Sequence, residues 1–365
     1  MKLIYWGFIL PLAVYSQDFN FKTKLHNDIN ESSGLLYLHN HLLTHNDSGD
    51  LPALYEISPD NGTILRTTQI TNAINKDWED LAMDDTYIYV GDFGNNSGSR
   101  RDLKIYRIKI DTYLDPATTE IEAEIINFSY EDQENYIPTQ FKTNFDAEAF
   151  IVLDDSLYIF TKNWGDHKTN IYKISKNPGT YKAKRIDQIY AKGLITAATY
   201  NKTFNEIVLT GYTMSKSFVL KISEFKGDNF SDGVIERFSV KPSFGKSHQI
   251  EGISYAGENN YFITAEKGIL GGISALYTFT DAALTIENFD QSSKEVVLYP
   301  NPARDSIFIQ LSRFKSLRIY DMNGTLVKKS RQKELDISDL KPGTYMCRVQ
   351  VSKTNTEYYK KLIVR

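Results

Sequence analysis

The chain has 365 residues, and its 42 Lys and Arg against 46 Asp and Glu give a formal net charge of −4. The basic residues are scattered along the chain and form no block, which argues against nucleic acid as a partner. The only cysteine, Cys347, excludes a disulfide framework, a zinc thiolate site and redox chemistry that needs paired thiols.

The N-terminal residues have the pattern of a secretory signal. Lys2 precedes an apolar run of about a dozen residues, small or apolar residues follow at Val14 and Ser16, and the chain turns polar at Gln17. The run is too short to cross a bilayer, which needs about 20 apolar residues, and no later stretch is long enough. We therefore predict a signal peptide at residues 1–16, a secreted protein and no transmembrane span.

Five segments of the following region repeat one pattern of short strands with alternating apolar and polar residues. The first strands of the repeats begin near residues 33, 79, 148, 196 and 251. Units of four strands that recur every 45 to 70 residues or so are typical of propeller blades. The pattern predicts an all-β fold, a five-bladed β-propeller over residues 17–284.

The number of blades and the architecture each have an alternative. A sixth blade is the alternative count if Pro116 to Gln140 contains a degenerate repeat, and an open array of β-sandwiches is the alternative architecture. The fifth repeat lacks a clear fourth strand, and residues 21–30 resemble the segment 68–75 that precedes the second blade. We expect residues 21–30 to fill that place and close the ring, because closure removes exposed strand edges.

A polar stretch at residues 285–295 is the predicted linker. The remaining residues, 296–365, form seven or so short strands joined by Asn-Gly, Pro-Gly and Asn-Pro turns. A small C-terminal β-sandwich is the fold that this pattern favours.

Several motifs of this tail occur in a fixed order: the opening Tyr-Pro-Asn-Pro at 299–302, Ile-Tyr-Asp-Met-Asn-Gly at 319–324, Leu-Lys-Pro-Gly-Thr-Tyr at 340–345 and the terminal Lys-Lys-Leu-Ile-Val at 360–364. In these motifs and their spacing, the tail resembles the type A C-terminal sorting domain of the type IX secretion system of Bacteroidetes. The resemblance implies the secretion machinery as a partner. It also implies an extracellular protein, either released or attached to the outer-membrane surface.

The first strands of the repeats carry polar residues at one equivalent position: Ser33, Glu79, Glu148, Thr196 and Glu251. In a propeller these strands line the axial channel, so three carboxylates are expected to meet at one channel mouth. Oxygen-only ligand sets suit hard cations, and Glu79, Glu148 and Glu251 are therefore the candidate ligands of Ca²⁺ or Mg²⁺. In the alternative interpretation, these acids accept hydrogen bonds from backbone N–H groups of neighbouring inner strands.

A second ring of polar residues comes from the loops that leave the second strands, where binding groups are often found on a rigid scaffold. The predicted ligand-binding residues are Asp92, Lys162, Asn163, Glu266 and Lys267. The same loops also contribute His45, Asn46, Asp47, Trp164 and Tyr212.

The Glu-x-Leu/Ile/Phe pattern that recurs at the blade entries of Glu79, Glu148 and Glu251, together with Asp92-Phe93-Gly94-Asn95, resembles the NHL-like and phytase-like esterase propellers of secreted bacterial proteins. The resemblance implies a phosphoester or ester substrate in the axial cleft. Three functions remain open: a binding protein for a small molecule, glycan or peptide; a cation-dependent hydrolase using Glu79, Glu148 and Glu251; and an adhesive surface protein. Catalytic residues are not assigned.

Overall fold

The computed structural model describes residues 15–214, 216–240, 249–267, 273–283, 296–311, 314–321, 326–351 and 357–365. Most of the predicted signal peptide and the whole predicted linker lie outside these ranges. The described chain contains two compact units, Gln17–Asp281 and a C-terminal unit that takes in Ala282–Arg365. Across these described ranges, no helix is both long and apolar enough to cross a membrane.

The larger unit is built almost entirely of strands. In chain order they are β1 (Tyr15–Lys24), β2 (Ser32–Leu38), β3 (His41–Asn46), β4 (Ala53–Ile57), β5 (Ile64–Ile70), β6 (Trp78–Met83), β7 (Tyr87–Asp92), β8 (Lys104–Lys109), β9 (Glu120–Ile121), β10 (Glu124–Tyr130), β11 (Ala147–Leu153), β12 (Ser156–Thr161), β13 (Thr169–Ser175), β14 (Gly179–Ile189), β15 (Leu194–Asn201), β16 (Glu206–Tyr212), β17 (Ser217–Ser223), β18 (Val234–Val240), β19 (Ile250–Tyr255), β20 (Asn260–Ala265) and β21 (Ala275–Ala283). The helical elements are one α-helical turn, α1 (Ile110–Tyr113), and short 3₁₀ helices at Asn27–Ile29 and Phe230–Asp232.

Consecutive strands pair into up-and-down groups. These are β2 to β5, β6 to β8 with β10, β11 to β14, β15 to β18, and β19 to β21 with β1. The short β9 adds to β5, and β10 pairs in parallel with β14, which joins the second and third groups into one eight-stranded sheet. The segment 116–140 therefore extends neighbouring sheets through β9 and β10 and forms no sheet of its own.

The N-terminal strand completes the last group, since β1 lies beside β21. It begins earlier than the predicted closing segment at residues 21–30: the strand ends at Lys24, and Asn27–Ile29 forms a 3₁₀ helix. The earliest and latest strands of the larger unit thus belong to one sheet.

The innermost strands of the five groups, β2, β6, β11, β15 and β19, pack against one another in that order, and β19 packs against β2. Their side chains are mostly buried on both faces. Gly34 shows how closely they approach: it has φ +65°, and a Cβ there would lie 2.8 Å from the backbone nitrogen of Leu81 in β6. This cyclic packing of strand groups gives the larger unit its propeller-like, all-β architecture.

The C-terminal unit has two sheets. Its strands are β22 (Val297–Tyr299), β23 (Ser306–Gln310), β24 (Phe314–Tyr320), β25 (Leu326–Ser330), β26 (Glu334–Asp336), β27 (Gly343–Val351) and β28 (Glu357–Val364). One sheet has the order β22-β23-β26 and the other β25-β24-β27-β28. Both bury side chains in one core, which includes Ile307 and Ile309 from the first sheet and Leu317, Cys347 and Leu362 from the second. The unit is a small β-sandwich, with Cys347 fully buried.

Candidate functional site

A β-bulge occurs at the same place in four of the five innermost strands. The register shifts between Trp78 and Asp80, Ala147 and Ala149, Ile195 and Ala197, and Ile250 and Gly252. The extra residue in each case is the polar one singled out in the sequence: Glu79, Glu148, Thr196 and Glu251. A bulge bends the strand and re-aims a side chain. It thus turns these four polar side chains out of the regular alternation of the strand.

The two hydroxyl-bearing members of the sequence ring connect neighbouring inner strands. Ser33 Oγ donates to the backbone carbonyl of Glu79 at 2.5 Å, and Thr196 Oγ1 donates to that of Ile250 at 2.5 Å. Both hydroxyls are buried. Their role in this structure is to join β2 to β6 and β15 to β19.

A residue that the sequence reading passed over, Asp80, has the most central position. Its Oδ1 accepts from the backbone N–H of Leu81 at 2.8 Å, and its Oδ2 accepts from Phe150 N at 3.1 Å and Ala198 N at 3.0 Å. One buried carboxylate thereby connects β6, β11 and β15. Burial raises the pKa of Asp80 well above its usual range, and the three N–H donors oppose that shift. The backbone-binding role considered for the glutamates belongs to Asp80.

The three predicted metal ligands are all buried, with 3 to 6% of each residue exposed, but their partners differ. Glu148 Oε1 lies 3.0 Å from Lys162 Nζ. Glu251 Oε1 accepts from Gln249 Nε2 at 3.0 Å. The carboxylate of Glu79 makes no hydrogen bond or ion pair with any residue of the described ranges. Of the three, Glu79 is thus the one whose carboxylate has no partner among the described residues.

Two further acids lie directly before these strands, two residues ahead of the glutamates: Asp77 before Glu79, and Asp146 before Glu148. Asp146 is fully buried and accepts from Asn95 N at 2.6 Å and from Trp164 Nε1 at 2.7 Å. The Asp-x-Glu spacing that recurs at both strands is the signal in the sequence that points to these acids.

Loop residues complete an acidic cluster with Lys162 inside it. Its seven carboxyl groups are those of Asp47, Asp77, Glu79, Asp146, Glu148, Glu251 and Glu266, which influence one another electrostatically. Burial alone would lower the pKa of Lys162, but Glu148, Tyr212 and Glu251 outweigh it and raise that pKa well above its usual range. The lysine therefore stays charged, and the acids outnumber it.

The pKa values of the acids are raised where Asp77 and Glu79 meet. Burial is the main cause for Glu79, and the charges of Glu148 and Asp47 add to it. Burial and the charge of Asp47 raise the pKa of Asp77 to about 7. Arg100 opposes the shift of Asp77 in part, but its guanidinium is paired with Asp92. Like charges held together out of water disfavour full ionisation.

The same effect appears on the other side of the cluster. Burial raises the pKa of Glu251 to about 7, against the opposing charge of Lys162. Burial and the charge of Glu251 raise the pKa of Glu266 to about 8. Both groups can exchange protons near neutral pH.

The five residues predicted to bind a ligand have different surroundings. Lys162 and Glu266 belong to the acidic cluster, as described. Asp92 is held by Arg100 Nη2 at 2.9 Å, with burial raising its pKa. Asn163 is buried and donates through Nδ2 to Asp166 at 3.0 Å. Lys267 is exposed, and its backbone N–H donates to the carbonyl of Asn30 at 3.0 Å.

The other residues of these loops also differ in their surroundings. Trp164 and Tyr212 lie with their rings 5.0 and 5.4 Å from Lys162 Nζ, so they flank the cluster. His45 is buried edge-on against Trp78, and burial lowers its pKa to about 4. Asn46 donates to the carbonyl of Asp28 at 2.7 Å. His45 and Asn46 therefore stabilise the loop and leave Asp47 as its contribution to the cluster.

Carboxylate oxygens of Asp47, Asp77 and Glu79 lie within 4.8 Å of one another. This group contains only one of the three predicted metal ligands, Glu79. Glu148 is already neutralised by Lys162, and Glu251 is hydrogen-bonded to Gln249.

The opposite ends of the innermost strands line a cavity of about 570 Å³. Its apolar wall includes Leu36 and Phe150. Both of its lysines are paired: Lys176 lies 3.2 Å from Asp84, and Lys202 lies 2.8 Å from the exposed Asp85. The two ends of the ring thus differ in charge: two lysines accompany the three aspartates Asp84, Asp85 and Asp154 here, whereas Lys162 accompanies seven carboxyl groups at the other end.

Comparison with known proteins identifies the C-terminal unit. Residues 297–365 match the family described as the secretion system C-terminal sorting domain. No curated protein matches the chain. The tail is thus a sorting domain of the type IX secretion system, and the protein is a secreted or cell-surface protein whose larger unit has a propeller-like fold.

Solved structures align with the chain at low sequence identity. PorZ, an essential surface component of the type IX secretion system of Porphyromonas gingivalis, is 15% identical with a TM-score of 0.36; the alignment covers 92% of this chain and 45% of PorZ. The PQQ-bound aldose sugar dehydrogenase of Streptomyces coelicolor is 11% identical over 74% of this chain and 99% of its own, with a TM-score of 0.40. An exo-β-1,3-galactanase of Phanerochaete chrysosporium is 10% identical over 95% of this chain and 98% of its own, with a TM-score of 0.46.

Proposed function

We propose that this protein is exported by the type IX secretion system and binds a cationic ligand at the acidic end of a five-bladed propeller. In this proposal the five strand groups are the blades, residues 17–284 form the binding domain, residues 285–295 link it to the sorting domain, and residues 1–16 are the export signal. The protein acts outside the cell, either released or held at the outer-membrane surface.

The excess of buried acids over cations supports this proposal most directly. Burying a charge without a partner is costly, and buried charges in proteins are therefore normally paired. Here seven carboxyl groups, four buried and three half-buried, surround one ammonium, that of Lys162. The only other cation that acts on them among the described residues, Arg100 beside Asp77, is already paired with Asp92. A ligand that brings positive charge, such as a basic peptide or a polyamine, would relieve the repulsion among these acids. The rings of Trp164 and Tyr212 offer it flat contact surfaces beside the acids.

Binding can be measured on the full chain by calorimetry with a lysine-rich peptide, spermine, an acidic peptide and a neutral oligosaccharide. We expect the two cationic probes to bind, and the Glu251→Gln, Glu266→Gln double variant to bind them about tenfold more weakly, which corresponds to about 1.4 kcal/mol. The variant Asp85→Asn, at the opposite end of the ring, should bind like the wild type. Binding of the neutral oligosaccharide alone, or equal binding by all variants, would contradict the proposal.

A cation-dependent hydrolase acting on phosphoesters or esters is the second candidate. The observation in its favour is the pair Glu251 and Glu266, whose pKa values of about 7 and 8 suit general acid–base catalysis near neutral pH. A panel of such substrates with added Ca²⁺ or Mg²⁺ tests it. Turnover that Glu266→Gln removes and Asp85→Asn retains would support hydrolysis, and no turnover on any substrate would leave binding as the function.

A further inference from the structure

We propose that Asp47, Asp77 and Glu79 bind one hard divalent cation, of which Ca²⁺ fits best. The proposal deepens the proposed function and rests on it, because the ion would be the cationic ligand, or part of it, at one side of the acidic cluster. The set differs from the one that the sequence suggested, since it replaces Glu148 and Glu251 with two aspartates.

The distances between the three carboxylates fit such an ion. Ca²⁺ binds oxygen at 2.3–2.6 Å, so two of its ligands are at most about 5 Å apart. The oxygens of Asp47, Asp77 and Glu79 all lie within 4.8 Å of one another. All the donors are oxygens, which Ca²⁺ and Mg²⁺ prefer, and Ca²⁺ tolerates an irregular arrangement better than Mg²⁺ does.

The state of Glu79 is an independent sign of a missing partner. Its residue is only 4% exposed, and its carboxylate has no hydrogen-bond donor or cation among the described residues. Its equivalents on β11 and β19 both have one, namely Lys162 for Glu148 and Gln249 for Glu251. A buried carboxylate without a partner is costly, and a bound ion would supply the partner.

Gly94 keeps the space at these carboxylates open. A Cβ at this position would overlap the Glu79 carboxylate and lie 2.5 Å from Asp77 Oδ2. The backbone of Gly94 does not adopt the left-handed conformation, so a side chain is excluded here by lack of room and not by backbone strain. Arg100 fixes this backbone by donating to the carbonyl of Gly94 at 2.9 Å.

The two aspartates come from loops that are fastened together. Asn75 Nδ2 donates to the backbone carbonyls of Asn46 at 3.0 Å and Asp47 at 2.7 Å. Asn75 Oδ1 accepts from the backbone N–H of Trp78, next to Asp77. One amide side chain thus holds the loop of Asp47 against the start of β6, so the ligands are arranged before an ion arrives.

The test is a calorimetric titration of the chelator-treated full chain with CaCl₂, MgCl₂ and MnCl₂ in separate runs. We expect one Ca²⁺ site, and a rise of the melting temperature of about 5 °C or more at a hundredfold excess over Kd. Asp77→Asn and Glu79→Gln should each weaken Ca²⁺ binding at least tenfold. The matched variant Asp85→Asn, at the opposite end of the ring, should change it less than threefold.

Absence of binding by all three ions at millimolar concentration would overturn the proposal, as would binding that Asp77→Asn and Glu79→Gln leave unchanged. If these variants do not fold, Tb³⁺ luminescence of the wild type, sensitised by the adjacent Trp78, provides the second measurement. Displacement of that signal by Ca²⁺ supports the site, and no sensitised signal refutes it. If the wild type binds cationic peptides but no Ca²⁺, this inference is refuted and the proposed function stands. If it binds Ca²⁺ but no cationic peptide, this inference is upheld and organic cations are excluded as the ligand.

Discussion

Replacing Asp80 with alanine tests whether one buried carboxylate holds the centre of the larger unit together. The change leaves the N–H groups of Phe150 and Ala198 buried without acceptors. Each such group costs about 1–3 kcal/mol, and the relief of burying a carboxylate offsets part of the sum. We expect the free energy of unfolding to fall by about 3 kcal/mol. Asp80→Asn keeps one acceptor oxygen and should cost about 1 kcal/mol.

Guanidinium unfolding followed by tryptophan fluorescence measures this effect. Of the three tryptophans, Trp6 lies in the predicted signal peptide, Trp78 and Trp164 lie in the larger unit, and residues 282–365 contain none. The signal of a chain prepared from residue 17 onward therefore reports on the larger unit. The control is Asp85→Ala, which removes an exposed carboxylate paired with Lys202 and should stay within about 0.5 kcal/mol of the wild type. If Asp80→Ala and Asp85→Ala unfold with the same free energy, Asp80 does not stabilise the centre as argued.

Three more predictions follow from buried groups. Lys162→Met should destabilise the protein by about 3 kcal/mol at pH 8 in thermal or chemical unfolding, because Glu148 loses its buried partner. This loss of stability should shrink toward pH 5. Without the lysine, the pKa of Glu148 rises further above its value in the unfolded chain, so protonation of Glu148 at lower pH favours the folded variant. A loss of stability that is constant with pH would contradict this. Gly94→Ala should weaken Ca²⁺ binding at least tenfold in calorimetry, and unchanged affinity would show that the space beside Glu79 is not needed. Cys347, whose pKa burial raises to about 12, should resist iodoacetamide at pH 8 in the folded chain and react fully in denaturant, and rapid labelling of the native protein would refute its burial.

The strand pattern of this protein could be predicted from local sequence because each strand alternates over a short range. The inner strand predicted to begin near residue 148 corresponds to β11 (Ala147–Leu153), and the one predicted to begin near residue 251 corresponds to β19 (Ile250–Tyr255). The fold of the C-terminal tail could be predicted equally well, because the residues of each turn motif are contiguous in the chain. The parallel pairing of β10 with β14 was not predictable in this way, because it joins strand edges that are distant in sequence.

The candidate site was harder to predict, since it depends on where bulges direct side chains. Alternation placed Glu79, Glu148 and Glu251 on one face, but it could not show that Glu148 meets Lys162 while Glu79 meets no cation. In the sequence, Asp80 is an ordinary polar residue next to Glu79 at the start of an inner strand. Its role depends on N–H groups 70 and 118 residues away, which only the folded ring brings near.

The pairing of β1 with β21 has a consequence for the order of events during export. The sheet that closes the larger unit needs residues from both ends of it, Tyr15–Lys24 and Ala275–Ala283. Loop-closure entropy makes such distant pairings slow to form. While the chain emerges from a membrane in sequence order, the first strand has no partner until nearly the whole unit has appeared. We therefore expect the ring to complete late, and until then an open strand edge is exposed to pairing with other chains.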